Sequence, residues 1–182
     1  VKFKILILII GVLIIMSFEK CFAFTIGEEG GYANHPKDKG GETKWGISKN
    51  QYPNLDIPIL TKEDARTIYL RDYWEPSGAN LLPDKLSLVH FDSAVNHGVP
   101  RAIKLLQAVV CVFPDGKIGP KTKAAIERDI KYQGERALVM LYLQKRYEFY
   151  KAIVKTNPGQ KVFLKGWLNR LDKLRQEVGD GE

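Results

Sequence analysis

Cysteine is scarce in this chain. There are two, Cys21 and Cys111, and they form neither a metal-ligand spacing nor a redox pair. Cys111 follows the apolar run LLQAVV and reads as a small buried hydrophobe. Histidine is also sparse. None of His35, His90 and His97 has a ligand spacing, and His90 and His97, two turns apart on one helix face, read as packing residues. No internal repeat and no Gly/Ser linker divides the 182 residues, which suffice for one domain or two small ones with a sizeable core. Acid is in deficit: 21 Asp and Glu face 28 Lys and Arg, a formal charge of +7. That excess suits an anionic partner such as cell-wall polymer, nucleic acid or an acidic membrane surface, and it also serves solubility alone. The basic residues are scattered rather than gathered on a recognisable motif, which argues against nucleic acid.

Long apolar runs are absent except at the start. Lys2 and Lys4 precede an apolar run from Ile5 to Met16, interrupted by Gly11. A membrane span needs about 20 apolar residues, so the run is short for one. With Cys21 and Ala23 at the small-residue positions of a cleavage site, the segment reads as a secretory signal. The Val1 start suggests a GUG codon in a bacterial or phage frame. A second reading competes. Phe18, Phe22 and Ile26 have the spacing of one helix face, and that helix leads into Glu29. Cleavage after Ala23 would remove most of it. The folded chain is therefore expected to begin near Met16 or Ser17. Residues 1–16 are then an uncleaved anchor, a releasable signal-anchor or an over-extended gene start.

The rest reads as mainly helical. Thr61 with Asp64 makes a capping-box start, with Ala65, Ile68 and Tyr69 facing inward. A helix is expected from Asp84 to His97, ending at Gly98, and Pro100 sits in the first turn of the next. FPDGKIGPKT is a loop and KTKAAIERDI a short helix. Glu135 to Val154 and Phe163 to Val178 are the last two helices, the latter with Leu164, Trp167, Leu168, Leu171 and Leu174 on one stripe. TKWGISKNQY adds a short strand.

The densest chemistry lies in GEEGGYANHPKDKGGETKWGIS, Gly27 to Ser48. If the first helix ends at Glu29, Gly30 and Gly31 are its cap residues. Glu29 then lies at the negative end of the helix dipole, where the protonated acid is favoured, as a general acid requires. Glu28 points elsewhere and is solvated. Asp38 follows after a turn and can face Glu29 across a cleft. Two carboxyls flanking a bond are the usual equipment of glycoside hydrolysis; about 6.5–9.5 Å between them predicts inversion and about 5 Å retention. Thr43 offers a hydroxyl for the attacking water. Tyr32 and Trp45 offer faces for sugar rings, and Gly40 and Gly41 allow close backbone approach. Each also has a plain structural reading: Asp38 as a turn residue, Thr43 in a strand, Trp45 in the core.

The stretch resembles glycoside hydrolase family 108, the bacterial and phage N-acetylmuramidases. Its Glu-Gly-Gly-Tyr, Asp-x-Gly-Gly-x-Thr and Gly-Ile elements are met by Glu29 to Tyr32, by Asp38, Gly40, Gly41 and Thr43, and by Gly46 and Ile47. LTKEDARTIYLRDYWEP and FDSAVNHGVPRA are similar to the same family, the second placing Asp92, Asn96 and Gly98 in Asp-x-Ala-x-Asn-x-Gly. Downstream, Leu106, Gln107, Asp115, Gly116, Gly119, Pro120 and Thr122 resemble the pattern of peptidoglycan-binding domains. The resemblance implies a lysozyme-like helical fold with a small hairpin after the catalytic helix. It implies cleavage of the β-1,4 bond between N-acetylmuramic acid and N-acetylglucosamine, with Glu29 as the essential acid. Asp38 and Thr43 are similar to the Asp and Thr of phage-type lysozymes, with the threonine one residue nearer. Glu28 departs from the single acid common there.

Together these readings give an anchor-like segment over 1–16, a muramidase domain over 17–98 and a peptidoglycan-binding-like domain over 99–182. Glu29, Asp38 and Thr43 are the catalytic candidates; Tyr32, Trp45 and Asn96 are the glycan contacts. No metal or organic cofactor is implied. The expected partner is the glycan strand of peptidoglycan, with transient inner-membrane association through the amino terminus and a monomeric state. Location is the wall or periplasm, or the cytoplasm before release if Met16 is the true start. The rival is a non-catalytic peptidoglycan-binding or localisation module.

Overall fold

The structure, a computed structural model, describes residues 17–27, 31–33 and 41–179. The chain divides into two compact units, Val1–Pro76 and Ser77–Glu182. The architecture is mainly helical, as expected, with one two-stranded antiparallel sheet among the described residues. The apolar run 1–16 lies outside the described residues. Within them, no helix is long and apolar enough to cross a membrane.

The first unit is built on helix α1, described over residues 17–26. Phe18, Cys21, Phe22 and Thr25 are its buried positions, the i, i+3, i+4, i+7 pattern of one helical face. Phe18 stacks on Phe22 with ring centroids 5.6 Å apart, and meets Trp74 edge-on at 5.3 Å. Phe22 meets Tyr69 edge-on at 5.6 Å. Outside this cluster Arg66 Nε donates to Glu19 Oε1 at 2.6 Å, while the Arg66 guanidinium lies over the Phe18 ring. The helix ends at residue 26, earlier than the Glu29 terminus expected from sequence. Gly27 stops it by taking φ +71 and donating its N–H to Ala23 O at 3.1 Å. A left-handed residue costs glycine little, so the first glycine reached ends the helix and the later pair is not needed.

Helix α2, Lys62–Tyr69, opens with the expected capping box between Thr61 and Asp64 and buries Ala65, Ile68 and Tyr69. It runs through a π-helical segment, Leu70–Trp74, into the short α3, Glu75–Ser77. The wider turn keeps Tyr73 and Trp74 buried beside Tyr69, which a straight α-helix at that phase would not do for all three.

The second unit holds α4, Asp84–His97; α5, Val99–Val109; α6, Pro120–Gln133; α7, Glu135–Thr156; and α8, Lys161–Gly179. Gly98 and Gly134 join α4 to α5 and α6 to α7 with φ +81 and +84. A Cβ would meet nothing at either site, so it is the dihedral, not space, that requires glycine. The turn between α5 and α6 is fastened by Gln107, buried to 1% exposure. Its amide donates to Asp115 Oδ1, Lys117 O and Thr122 Oγ1 at 2.7, 3.0 and 3.1 Å, and its Oε1 accepts from Gly116 N at 2.9 Å. The Leu-Gln and Asp-Gly-x-x-Gly-Pro-x-Thr elements are thus one polar knot. Cys111 is not the buried hydrophobe expected. It is exposed, with φ +57. The apolar run ends at Val110, and the Val112 N–H bonds Gln107 O at 3.0 Å, a Schellman closure that puts Cys111 in the left-handed position.

Candidate active site

The site is assembled on a small ribbon. Strands β1, Thr43–Lys44, and β2, Ile47–Ser48, pair antiparallel with Thr43 opposite Ser48 and Lys44 opposite Ile47. The two-residue loop is Trp45-Gly46, with φ +54 and +75. Two left-handed residues make the loop whose twist matches a right-handed strand pair. On the other edge, Ala33 bridges Thr43 through two backbone hydrogen bonds of 2.8 Å. The segment that follows Glu29 is therefore stitched to the segment that carries Thr43.

The ribbon is pinned to the core at its tip. The Tyr69 hydroxyl donates to Trp45 O at 3.2 Å, and the Trp45 indole Nε1 donates to Leu60 O at 3.1 Å. A Cβ on Gly46 would overlap the Tyr69 hydroxyl, so that glycine is required by both dihedral and space. Ile47, 1% exposed, anchors the second strand in the core.

Of the sequence candidates, Tyr32, Thr43 and Trp45 are brought together here. Glu29 and Asp38 lie outside the described residues, as do Glu28 and Gly40. Tyr32 is 46% exposed, and its hydroxyl donates to Glu42 Oε1 at 3.1 Å. Side chains alternate across a strand, so Tyr32 and Glu42 share one face of the ribbon while Ala33 and Thr43 take the other. The Thr43 hydroxyl donates a long bond to Gly41 O, 3.3 Å, and its oxygen keeps the capacity to accept. Trp45 is half-buried with its indole N–H committed to Leu60 O. Asn96 lies in the second unit, on α4, where its amide donates to Asp92 O at 2.7 Å. Sequence reasoning passed over Glu42 and gave Tyr69 only as an inward-facing helix residue. The period-2 register from Thr43 points to the first; the second is a contact between positions far apart in the chain. Among the described residues no cluster of three metal-ligating side chains occurs.

Residues 22–98 match the family model of glycosyl hydrolase 108, and residues 101–172 match the predicted peptidoglycan domain. The chain is also similar to SagA of Brucella abortus in its solved structure. The identity is 32% over 88% of this chain and 92% of that chain, with a TM-score of 0.74. The chain belongs to glycosyl hydrolase family 108. No curated protein matches it.

As a family 108 enzyme with a peptidoglycan domain, the protein is a glycoside hydrolase that acts on peptidoglycan. Its second motif, in α4, supplies no reactive acid. Asp92 is fully buried, accepting from Arg146 Nη2 and Arg170 Nε, each at 2.7 Å. Burial alone would raise its pKa, but Arg146 and then Arg170 outweigh that and hold it below the usual carboxylate range. Asp92 is an architectural acid of the family 108 hydrolase, and Asn96 is hydrogen-bonded to it.

Proposed function

We propose that the protein is an N-acetylmuramidase of the endolysin type, cutting the β-1,4 bond between N-acetylmuramic acid and N-acetylglucosamine. Glu29 protonates the glycosidic oxygen. Asp38, or a water it orients, assists from the opposite face, and Thr43 positions that water. Tyr32, Trp45 and Asn96 contact the glycan. The observation that carries this reading is the anchoring on both sides of Glu29: Gly27 closes a helix seated in the aromatic core, and Ala33 is paired to Thr43. A general acid contributes only when its geometry is held, and the described segments on either side of it are themselves anchored.

The muramidase function is assigned to residues 17–98 and wall binding to 99–182. These limits follow the motifs, whereas the compact units divide after Pro76. Residues 1–16 serve as a signal-anchor, giving transient inner-membrane association before bacteriolytic action on the wall by a phage or bacterial monomer.

Purified walls digested with wild type and Glu29→Gln test the proposal. Wild type is expected to release fragments with muramic acid at the reducing end. Glu29→Gln should be slower by about 10²–10⁴-fold, the usual worth of a general acid. Reducing-end N-acetylglucosamine, or undiminished turnover in the variant, refutes it. If both proteins are inactive yet both sediment with walls, the binding-module reading stands instead.

A further inference from the structure

Helices α7 and α8 enclose a cleft of about 180 Å³ lined by Gln144, Tyr147, Leu168, Leu171, Asp172 and Arg175. Gln144 and Tyr147 are one turn apart on α7. Leu168, Leu171, Asp172 and Arg175 follow the i, i+3, i+4, i+7 rows of one α8 face, so two helical ridges meet with a gap between them. Leu171 is buried, while Tyr147 is 37% exposed and offers ring surface to a ligand. The rim is amide, carboxylate and guanidinium. These groups are held by contacts a ligand can replace: Arg175 to Asp172 at 3.1 Å, with side chains 53% and 61% exposed, and Gln144 to Glu148 at 3.4 Å.

We propose that this cleft is a saccharide subsite that seats a single N-acetylhexosamine unit of the peptidoglycan glycan strand, outside the segment that carries the ribbon and Glu29. A pyranose presents an apolar C–H face, which the Tyr147 ring receives, and a belt of hydroxyl and amide groups, which needs the mixed donors and acceptors that Gln144, Asp172 and Arg175 provide. A purely apolar peptide side chain would leave those three polar groups unmatched. The cleft also falls within and beside the residues that match the peptidoglycan domain, 101–172. The inference rests on peptidoglycan as substrate but not on the bond cut or on Glu29 as the acid.

Binding is measured with the full chain carrying Glu29→Gln, so that the glycan is not consumed. The probe is purified glycan strands freed of stem peptides, immobilised and washed at physiological salt. Tyr147→Ala in this background is expected to weaken binding about tenfold, the loss of one stacked ring, while Tyr147→Phe retains it. Asp172→Asn with Arg175→Gln should weaken it comparably, with melting temperatures showing that the variants fold. Unchanged binding in Tyr147→Ala, or binding only to walls that keep their stem peptides, overturns the subsite. Neither result touches the muramidase proposal, which is judged by turnover and the reducing-end sugar.

Discussion

Gly46 is the point at which the ribbon meets the core, and Gly46→Ala tests that arrangement. An alanine at φ +75 pays the left-handed penalty of about 1–2 kcal/mol. Its methyl also displaces the Tyr69 hydroxyl, which loses its bond to Trp45 O, a further ~1 kcal/mol. Tyr69 has little room to yield, being 4% exposed with its ring against Phe22 and Tyr73. The expected loss is about 2–3 kcal/mol, or roughly 5–10 °C in Tm for a chain of this size.

Tyr69→Phe sharpens the test because it removes the atom the methyl would strike. Alone it costs about 1 kcal/mol for the lost hydrogen bond. In combination with Gly46→Ala it should add almost nothing, since that bond is already broken and the overlap is relieved. Urea unfolding of the four proteins gives the coupling energy. Additivity within about 0.5 kcal/mol would refute the claim that Gly46 and Tyr69 are in contact. Wall-digestion turnover should fall with Gly46→Ala by about tenfold or more, because Thr43 moves with the ribbon and small misplacements near a reacting centre are costly.

Three other outcomes follow from the packing. Asp92→Ala leaves Arg146 buried and uncompensated and should cost about 3–5 kcal/mol; Asp92→Leu with Arg146→Met should recover part of it, both read by denaturant unfolding. Burial pushes His97 down to about 3 and His90 to about 4, so the folded chain binds fewer protons than the unfolded one between those values and the ordinary pKa of about 6.5. Stability should therefore be full above pH about 6.5 and fall as pH drops from there towards 3, with His97→Gln flattening the slope of Tm against pH. Phe18→Ala should cost about 3–5 kcal/mol, since Phe18 contacts both Phe22 and Trp74 in the first unit's core; a Tm unchanged by this substitution would contradict that packing.

The helices of the second unit are legible in sequence because their signals are local. Leu171 and Leu174 of the α8 stripe are buried while Leu164, Trp167 and Leu168 are half-buried, and Gly98, Pro100 and the Thr61–Asp64 box punctuate the chain at positions the structure keeps. What was illegible depends on partners distant in sequence or on a competition between neighbouring signals. The Gly30-Gly31 pair is the stronger cap signal for α1, but Gly27 intervenes first. The π-helical widening at Leu70–Trp74 has no local signature; it follows from burying Tyr69, Tyr73 and Trp74 together. Asp92 is visible in sequence only as a motif position; its meaning comes from Arg146 and Arg170, 54 and 78 positions away. In the candidate site, a short strand at TKWGISKNQY is legible in sequence; the pairing that brings Tyr32 beside it through Ala33 is a contact the sequence does not show. The facing directions of Tyr32, Thr43 and Trp45 required the register.

The Asp92 cluster also joins residues from the two family matches within the second compact unit. The family 108 match ends at Gly98, but the compact unit that contains α4 begins at Ser77. Arg146, with no exposed side-chain surface, belongs to the segment matching the peptidoglycan domain, and its ionic partner Asp92 comes from the glycosidase match. A fragment starting at residue 99 would leave that guanidinium buried without its carboxylate and would strip His90 and Phe91 from the same core. Burying an unpaired charge costs several kcal/mol, a large part of the stability of any domain. The segment matching the peptidoglycan domain therefore depends on α4 to fold, although α4 itself lies in the family 108 match.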